Sequence, residues 1–428
     1  MKFRGYFVDL FAGCGGISLG LEQAGFHPVF VNELNKDAMD TYLSNRIDSA
    51  PDLKELNFHC YDIKDMVSKR YLNRLKKELF SRYALDVAGG QLDLLVGGPP
   101  CQGYSGIGHR RSYSVAKKNL PANLLYKDMV HVIKDFQPKL FLFENVKGLL
   151  SARWTAAGTK GEIWRDILAT FNSSLAKEYW IDFSLVHAHD YGVPQNRPRL
   201  LMVGLRKDIS GMVGLDKTKR AGGLLPEKLV SAPPDLVDIL GDLVDPSYVN
   251  GGQTLTYPVR AHHALQKYFR TNPKTGTTFN KGDVVSDHQY SMHSKNIIRK
   301  FTFMIKHNGR IPAKFRTKKF SQRILPVRWG DKKPNITAAS LPDDYVHFSQ
   351  ARSMTVREWA RLQMFPDWYQ FSGKRTTGGL RRAGNPREGN FKRDLPKYTQ
   401  IGNAVPVAVA TQLGLHFLKL LGKHKSNK

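Results

Sequence analysis

"DLFAGCGGISLG", residues 9–20, decides the fold because it joins a strand-like run to a helical run through a glycine-rich turn. Gly13, Gly15 and Gly16 lie in that turn. Glycines there let the backbone approach a ligand, and the helix that follows presents its first N–H groups to it. This arrangement predicts the first unit of an α/β fold with a ligand at the turn. A tight turn without a ligand is the alternative.

The same alternation of strand-like and helical runs continues through the first two hundred residues. Strand-like runs lie at 6–11, 27–33, 92–98, 139–146, 183–188 and 199–205, and helical runs at 17–25, 35–45, 124–136 and 162–171. Strands that alternate with helices form a mainly parallel sheet with helices on both faces. The prediction is therefore an α/β fold with a Rossmann-like sheet.

The composition is that of a globular protein. The 428 residues are 41% hydrophobic and 24% charged, and this length suits about two domains. Three cysteines, at positions 14, 60 and 101, are too few and too scattered for a disulfide framework or a zinc site. Because no run approaches about 18 apolar residues, and Asp9 interrupts the N-terminal apolar run, neither a membrane span nor a signal peptide is predicted.

The net charge of +28 favours a polyanionic partner. After about residue 206 the alternation stops, and 207–350 is rich in Gly, Pro, Lys and Arg without a clear period. Residues 267–329 hold 15 Lys and Arg but only two acidic residues, with aromatic residues interleaved. A charge run is usually a solvated face. This one predicts a second, irregular domain that faces DNA or RNA.

Two acidic residues follow the glycine turn at informative distances. Glu33 ends the next strand-like run, close to the offset of about 20 residues at which a carboxylate holds ribose hydroxyls. Asp62 follows a third short segment and is placed to contact an adenine edge. The glycines depart from the G-x-G-x-x-G pattern, and no G-K-[ST] follows them. The turn therefore predicts a nucleoside-containing cofactor, disfavours NAD and excludes a P-loop.

Two further motifs place reactive side chains at the ends of predicted buried strands. Cys101 lies in "GGPPCQGYS", a stiff loop after a strand, where a thiolate is a candidate nucleophile. Glu144 lies in "FENVKGLL" and ends another strand. Carboxyl ends of parallel strands meet at the ligand-binding edge of such a sheet. The two groups together therefore indicate an active site. Taken alone, Cys101 could be a structural cysteine and Glu144 a surface acid at a strand end.

The motif "PQNRPRLLMVG", residues 194–204, adds a third group of polar side chains. Gln195, Arg197 and Arg199 alternate, so they point to one face if the segment is extended. Two arginines on one face are suited to clamp a phosphate or a polar base edge.

Six motifs occur in a fixed order: "DLFAGCGG", "GGPPCQGYS", "FENVKGLL", "QNRPR", "TVREWARLQMFPDWYQF" and "QIGNAVP". With this set the sequence resembles a DNA (cytosine-5)-methyltransferase of the bacterial restriction–modification type. The resemblance covers residues 6–206 and 350–415. It implies an S-adenosyl-L-methionine-dependent methyltransferase sheet, joined to a smaller, irregular DNA target-recognition domain.

The resemblance implies roles for the candidate catalytic residues. Cys101 would add as a thiolate to C6 of cytosine, which activates C5 for attack on a methyl sulfonium. Glu144 would donate a hydrogen bond or proton at N3, which requires a raised pKa that burial can supply. Arg199 would hold the cytosine O2, and Arg197 and Gln195 would order that wall.

It also implies a binding site for S-adenosyl-L-methionine. Phe11 would lie against the adenine, Glu33 at the ribose and Asp62 near the adenine amine. The remaining implied cofactor-binding residues are Gly13, Gly15, Gly16, Leu34, Ile63 and Asn403. Leu34 departs from the family pattern, which often has a bulky aromatic residue there. No metal is implied.

The implied substrate is a cytosine flipped out of double-stranded DNA, because Cys101 cannot reach a stacked base. The implied organisation has three parts: a catalytic and cofactor domain at 1–206 plus 394–428, a target-recognition domain at 207–372, and a basic flexible connector at 373–393. A monomer in the bacterial cytoplasm, associated with the nucleoid through DNA and accompanied by a cognate restriction endonuclease in the same system, completes the expectation.

Four other functions are weighed against this one. An amino-methylating DNA enzyme needs an aromatic residue after the prolines, where this chain has Cys101. A tRNA cytosine-5 methyltransferase shares much of the catalytic set, and only the large basic region disfavours it. A nicotinamide-dependent oxidoreductase is disfavoured by the off-pattern glycines and the charge. A non-catalytic DNA-binding module is disfavoured by the intact set of Cys101, Glu144 and Arg199.

Overall fold

The computed structural model describes residues 3–100, 121–155, 157–210, 223–229, 234–316, 323–325, 334–336, 344–376 and 394–422. Cys101, the loop 103–119 and most of the predicted connector lie outside these residues. The strands are β1 Gly5–Leu10, β2 Phe26–Asn32, β3 His59–Cys60, β4 Leu94–Gly97, β5 Leu140–Val146, β6 Tyr179–His187, β7 Pro198–Arg206, β8 Arg323–Ile324 and β9 Tyr345–Val346.

The α-helices interleave with these strands. They are α1 Gly16–Ala24, α2 Lys36–Ser44, α3 Ile63–Met66, α4 Lys69–Tyr83, α5 Leu125–Phe136, α6 Glu162–Leu175, α7 Lys207–Ser210, α8 Leu236–Leu240, α9 Ala264–Arg270, α10 Lys295–Lys306, α11 Val356–Leu362, α12 Lys397–Asn403 and α13 Val407–Leu420. Short 3₁₀ turns follow several of them, including Lys147–Ser151 directly after β5.

Seven strands form one sheet in the order β3-β2-β1-β4-β5-β7-β6. The pairs from β3 to β5 are parallel, whereas β7 runs antiparallel to both β5 and β6. The predicted α/β fold with a mainly parallel sheet is confirmed, and the reversed β7 is the feature that the alternation did not indicate. The carboxyl ends of β1, β2, β4 and β5 consequently share one edge.

Alternate strand residues enter two separate cores, one on each face of the sheet. Leu94 and Val96 of β4 pack with α1, α11 and α13, whereas Leu95 packs with α4, α5 and α6. This follows from the two-residue period of side chains along a strand. Helices cover both faces, as predicted.

The C-terminal helices belong to this core. Lys397–Leu420 has the length and mean hydropathy, 1.3, of a membrane-crossing helix, but 61% of its most apolar window is buried inside the protein. At Gly20 of α1, an added Cβ would lie 2.5 Å from Ala410 Cβ, so α1 and α13 pack in close contact. Core packing therefore accounts for the hydropathy of this segment.

Most described elements between β7 and α11 are short, but α10 is a twelve-residue helix that buries Phe301 and Met304, so the expected lack of a clear period is wrong for 295–306. Several basic and aromatic residues of this region are buried rather than surface-facing: Phe269, Arg270 and Phe301 are each at most 1% exposed. Arg270 forms an ion pair with Asp242 at 2.7 Å. These three residues belong to the protein interior, so they are not part of any surface that this region presents to nucleic acid.

Candidate active site

The glycine turn between β1 and α1 is held in a conformation that needs its glycines. Gly13 and Gly15 have φ values of 57° and 83°, in the left-handed region that glycine adopts without strain. Phe11 also has a positive φ, 59°, which is uncommon for a residue with a side chain. An added Cβ on Gly13 would meet nothing within 4 Å, so this side of the turn faces open space.

Glu33, at the carboxyl end of β2, braces the turn. Its Oε2 accepts a hydrogen bond from the Gly13 N–H at 2.9 Å, and its Oε1 accepts from the Asn35 N–H at 2.7 Å. Burial raises the pKa of Glu33, and these two bonds oppose that shift. Each oxygen keeps a further acceptor position, so the carboxylate fixes the turn and can also accept a hydrogen bond from a ligand hydroxyl.

The other predicted cofactor residues lie on elements that end near this turn. Asp62 is exposed and caps α3, with its Oδ1 accepting from the Lys64 N–H at 2.9 Å. Ile63 is 3% exposed, whereas Leu34 is 69% exposed. Asn403 is an exposed residue at the end of α12.

A buried network supports the turn from behind. The Tyr369 hydroxyl donates to the Cys14 carbonyl at 2.7 Å and accepts from Arg46 Nη1 at 3.2 Å. Arg46 in turn bonds to Glu22 Oε1 at 2.5 Å. An added Cβ on Gly15 would lie 2.8 Å from the Tyr369 hydroxyl. The segment after α11 thus fixes the backbone of the turn.

Glu144 and Arg199 form a second candidate group, an ion pair apart from the glycine turn. Arg199 Nε lies 2.7 Å from Glu144 Oε1, and the two side chains are 11% and 12% exposed. Glu144 is on β5 and Arg199 is near the start of the antiparallel β7, which brings the two side chains to the same edge. Burial raises the pKa of Glu144, and the charges of Arg199 and Arg197 oppose that shift.

Gln195 and Arg197 are placed differently from Arg199. Gln195 Nε2 donates to the Leu362 carbonyl at 2.6 Å, and Arg197 Nη1 donates to the Ile336 carbonyl at 3.0 Å. Arg197 also donates to the carbonyl of Gly402. Both side chains thus bind backbone carbonyls of distant segments, and burial holds the pKa of Arg197 well below its usual range.

The β4 loop begins beside Glu144. An added Cβ on Gly98 would lie 2.9 Å from Glu144 Oε2, so glycine leaves room for the carboxyl group. Asn145 Nδ2 donates to the Pro99 carbonyl at 3.2 Å. Cys101, two residues further along the chain, lies outside the described residues.

Sequence reasoning missed three supporting residues. Asn32 donates from Nδ2 to the carbonyls of Cys60 and Tyr61, at 3.2 and 2.9 Å, and so joins β2 to β3. Asn145 binds the Pro99 carbonyl, and Tyr369 binds the Cys14 carbonyl. A polar residue at the end of an apolar strand was the available signal for Asn32 and Asn145. Tyr369 gave none, because its partners are far away in sequence.

Comparison with known proteins agrees with this arrangement. The family model for the C-5 cytosine-specific DNA methylase matches residues 5–419. Type II methyltransferase M.DdeI of Desulfomicrobium norvegicum is 31% identical over 417 residues, covering 95% of this chain and 86% of that relative. Type II methyltransferase M1.HphI of Haemophilus parahaemolyticus is 27% identical over 421 residues, covering 97% and 87%.

A solved structure shares the fold. A crystal structure described as that of a DNA modification methyltransferase encoded within an E. coli prophage superposes with a TM-score of 0.66 at 21% identity. The superposition covers 98% of this chain and 99% of that one. At this identity the likeness bears on the fold alone.

Proposed function

This chain belongs to the C-5 cytosine-specific DNA methylase family, and from that premise we propose that it methylates cytosine within a specific sequence of duplex DNA through a covalent adduct with Cys101. The observation that carries the proposal is the buried Glu144–Arg199 pair, 2.7 Å apart, beside the start of the loop that bears Cys101. A carboxyl group with a raised pKa next to a guanidinium suits the N3 and O2 edge of cytosine.

Cys101 is the best candidate nucleophile among the three cysteines. Burial raises the pKa of both Cys14 and Cys60 to about 12. Both remain thiols near neutral pH, and a thiol is a poor nucleophile. This contrast supports Cys101 as the nucleophile.

The proposed reaction has three steps: addition of Cys101 to C6, transfer of the methyl group to C5, and elimination of Cys101. The Cys101 thiolate forms a bond to C6, and Glu144 stabilises the charge that this places on the ring by donating at N3. The C5 carbon would then bond to the methyl group as the bond between that group and the sulfonium sulfur breaks, which leaves a thioether. Loss of the C5 proton would re-form the C5–C6 double bond and expel Cys101 as a thiolate. Arg199 holds the O2 edge of the base throughout. The positive charge of Arg199 is therefore already in position before the reaction begins.

S-adenosyl-L-methionine supplies the electrophilic methyl group when bound. The turn fits this cofactor because it is open on the side of Gly13 and rigidly supported on the other. Phe11 and Leu34 would contact the adenine, Glu33 the ribose, Asp62 and Ile63 the adenine edge, and Asn403 the methionine portion. Gly15 and Gly16 would bring the backbone close to the ligand.

The target base must leave the duplex to reach this site. Extrusion costs a few kcal/mol of stacking and pairing, which contacts to the flipped base must offset. The basic region between residues 207 and 372 is proposed to read the sequence, with 1–206 and 394–428 as the catalytic domain and 373–393 as the connector. A restriction–modification setting suits relatives that are named Type II methyltransferases. A monomer in the bacterial cytoplasm, with a cognate endonuclease in the same system, completes the proposal.

Bisulfite sequencing of DNA from a host that lacks cytosine methylation tests this proposal. Expression of the wild-type chain should protect one cytosine in a single recurring sequence, and Cys101→Ser should abolish that protection. Cys60→Ser is the matched control and should retain it, because the buried Cys60 thiol stays protonated near neutral pH. Protection that persists in Cys101→Ser would contradict the proposed adduct.

A further inference from the structure

The first half of α4 carries a basic groove that the methyl-transfer chemistry does not use. Its volume is about 560 Å³, and its lining residues are Ser68, Arg70, Tyr71, Asn73, Arg74 and Lys77. None of these side chains is acidic. The groove therefore offers hydrogen-bond donors and positive charge to a ligand.

Three cations line one face of the helix. Arg70, Arg74 and Lys77 are four and then three residues apart, the spacing that places side chains next to each other on a helix. All three are exposed. Like charges at this spacing repel each other, so the arrangement is unfavourable without an anionic partner.

Neighbouring lysines behave differently. Lys64 pairs with Asp128 and Lys76 pairs with Asp135, each at 2.6 Å. Within the part of the chain that the structure describes, no ion pair joins Arg70, Arg74 or Lys77 to a carboxylate. Acidic side chains of the described residues thus do not neutralise the three charges in the groove.

The polar surroundings keep these cations in place. The guanidinium of Arg74 lies 4.9 Å from the centre of the Tyr71 ring, within cation–π distance. Ser68 caps the helix by accepting from the Tyr71 N–H at 3.3 Å. The helix N-terminus adds its own partial positive charge to the same place.

The position of the groove relates it to the active site. β3 ends at the carboxyl edge of the sheet, and α3 and then α4 follow directly, so the groove lies toward the edge that carries Glu144. β3 is the outermost strand and is four strand spacings from β5. Four spacings of about 4.8 Å amount to about 19 Å.

We propose that this groove binds the phosphate backbone of DNA that flanks the target sequence. The flank meant is the one on the cofactor side, which lies toward β3 and the glycine turn. The proposal deepens the proposed function, since it rests on duplex DNA as the substrate. Seven helical residues rise about 10.5 Å, which corresponds to about three phosphates at about 3.4 Å per strand. The roughly 19 Å between β3 and β5 corresponds to roughly six base pairs, so the groove would lie beside DNA that flanks a base held at Glu144.

Fluorescence anisotropy with two duplexes tests this proposal. A 36-bp probe carries the target cytosine at its centre, whereas a 14-bp probe carries it about three base pairs from the end on the cofactor side, so only the longer one spans the roughly six base pairs to the groove. The variant Arg70→Gln/Arg74→Gln/Lys77→Gln should bind the long probe roughly tenfold or more weakly. Its salt slope should fall by about 2 to 3, because each phosphate contact contributes about 0.9. Its affinity for the short probe should not change.

Two further variants separate a contact from a general charge effect. The control variant Lys54→Gln/Lys134→Gln/Lys177→Gln also removes three exposed charges. Each of these lysines precedes a strand, so they lie at the edge of the sheet opposite to the one that carries Glu144. This variant should keep the affinity for the long probe. Arg70→Lys/Arg74→Lys retains the charge and should keep the salt slope.

An unchanged salt slope in the glutamine variant of α4 would overturn the proposal, and so would an equal loss of affinity for both probes. The same loss in the control variant would overturn it as well. Anisotropy measures binding alone, so a failure of the methyl-transfer proposal would leave this test standing.

Discussion

At the residue scale, two opposing influences act on Glu144. Burial raises its pKa, whereas the positive charges of Arg199 and Arg197 lower it, and burial is the larger effect. The carboxyl group therefore keeps its proton to a higher pH than an exposed glutamate does. The protonated form is the one that can donate to N3 of cytosine.

The pH dependence of methyl transfer tests this role. Single-turnover rates should fall as the pH rises through the raised pKa of Glu144. Glu144→Gln should remove that dependence and lower the rate about 100-fold or more, because an amide donates a hydrogen bond but transfers no proton. The assignment would be contradicted if the Glu144→Gln enzyme kept the wild-type rate. It would also be contradicted if the rate of that enzyme still fell at high pH as the wild-type rate does. Glu55→Gln, at an exposed carboxylate, serves as the control.

Asp9 is a second buried carboxyl group, beneath the glycine turn. Its pKa is raised to about 7, mainly by burial, although a hydrogen bond from Ser18 and the charge of Arg46 oppose the shift. Ser18 also lies 2.7 Å from the Tyr42 hydroxyl. Unlike Glu144, Asp9 lies within the core, so its protonation bears on stability.

The stability of the fold should accordingly depend on pH through Asp9. Between about pH 4 and about pH 7 the folded state keeps this proton and the unfolded state loses it, so the free energy of unfolding falls as the pH rises. Asp9→Asn removes the titration. Urea denaturation should show the difference between the two proteins changing by about 4 kcal/mol across this window. A difference that does not vary with pH would contradict the raised pKa.

At the element scale, the segment after α11 is tied to the turn between β1 and α1. The Tyr369 hydroxyl donates to the Cys14 carbonyl, which belongs to the turn that would hold the cofactor. Tyr398 makes a comparable bond to the Met354 carbonyl at 2.8 Å, away from the turn. The two buried tyrosines thus allow a positional effect to be separated from a loss of stability.

Tyr369→Phe and Tyr398→Phe should each lower the free energy of unfolding by about 1–3 kcal/mol, because each leaves a buried carbonyl without its donor. Only Tyr369→Phe should also weaken the binding of S-adenosylhomocysteine several-fold, as measured by calorimetry, since only it loosens the turn. Equal affinities in the two variants would show that Tyr369 has no positioning role.

The elements of the sheet were largely predictable from sequence. Strand and helix periods gave the positions of β1, β2, β4, β5 and β7 to within about two residues, because burial on both faces imposes continuous apolar runs. The direction of β7 was not predictable, since an apolar run does not encode whether a strand is parallel. The amphipathic α4 was also missed.

At the scale of the whole molecule, the strand order explains why distant motifs meet. The glycine turn after β1, Glu33 after β2 and Glu144 at the end of β5 share one edge because these strands are parallel. Arg199 joins them because β7 is reversed and begins there. The sequence indicated the shared edge, but Gln195 and Arg197 bind backbone of distant segments that only the folded chain brings together.

The most direct test of the central claim is a covalent trap. A duplex with 5-fluorocytosine at the target position, incubated with S-adenosyl-L-methionine, should form an adduct that withstands denaturation, because C5 then has no proton to lose. Mass spectrometry should locate the adduct on the peptide that contains Cys101. If the unmodified duplex is methylated but no adduct forms, or if the adduct lies on another residue, the account is contradicted.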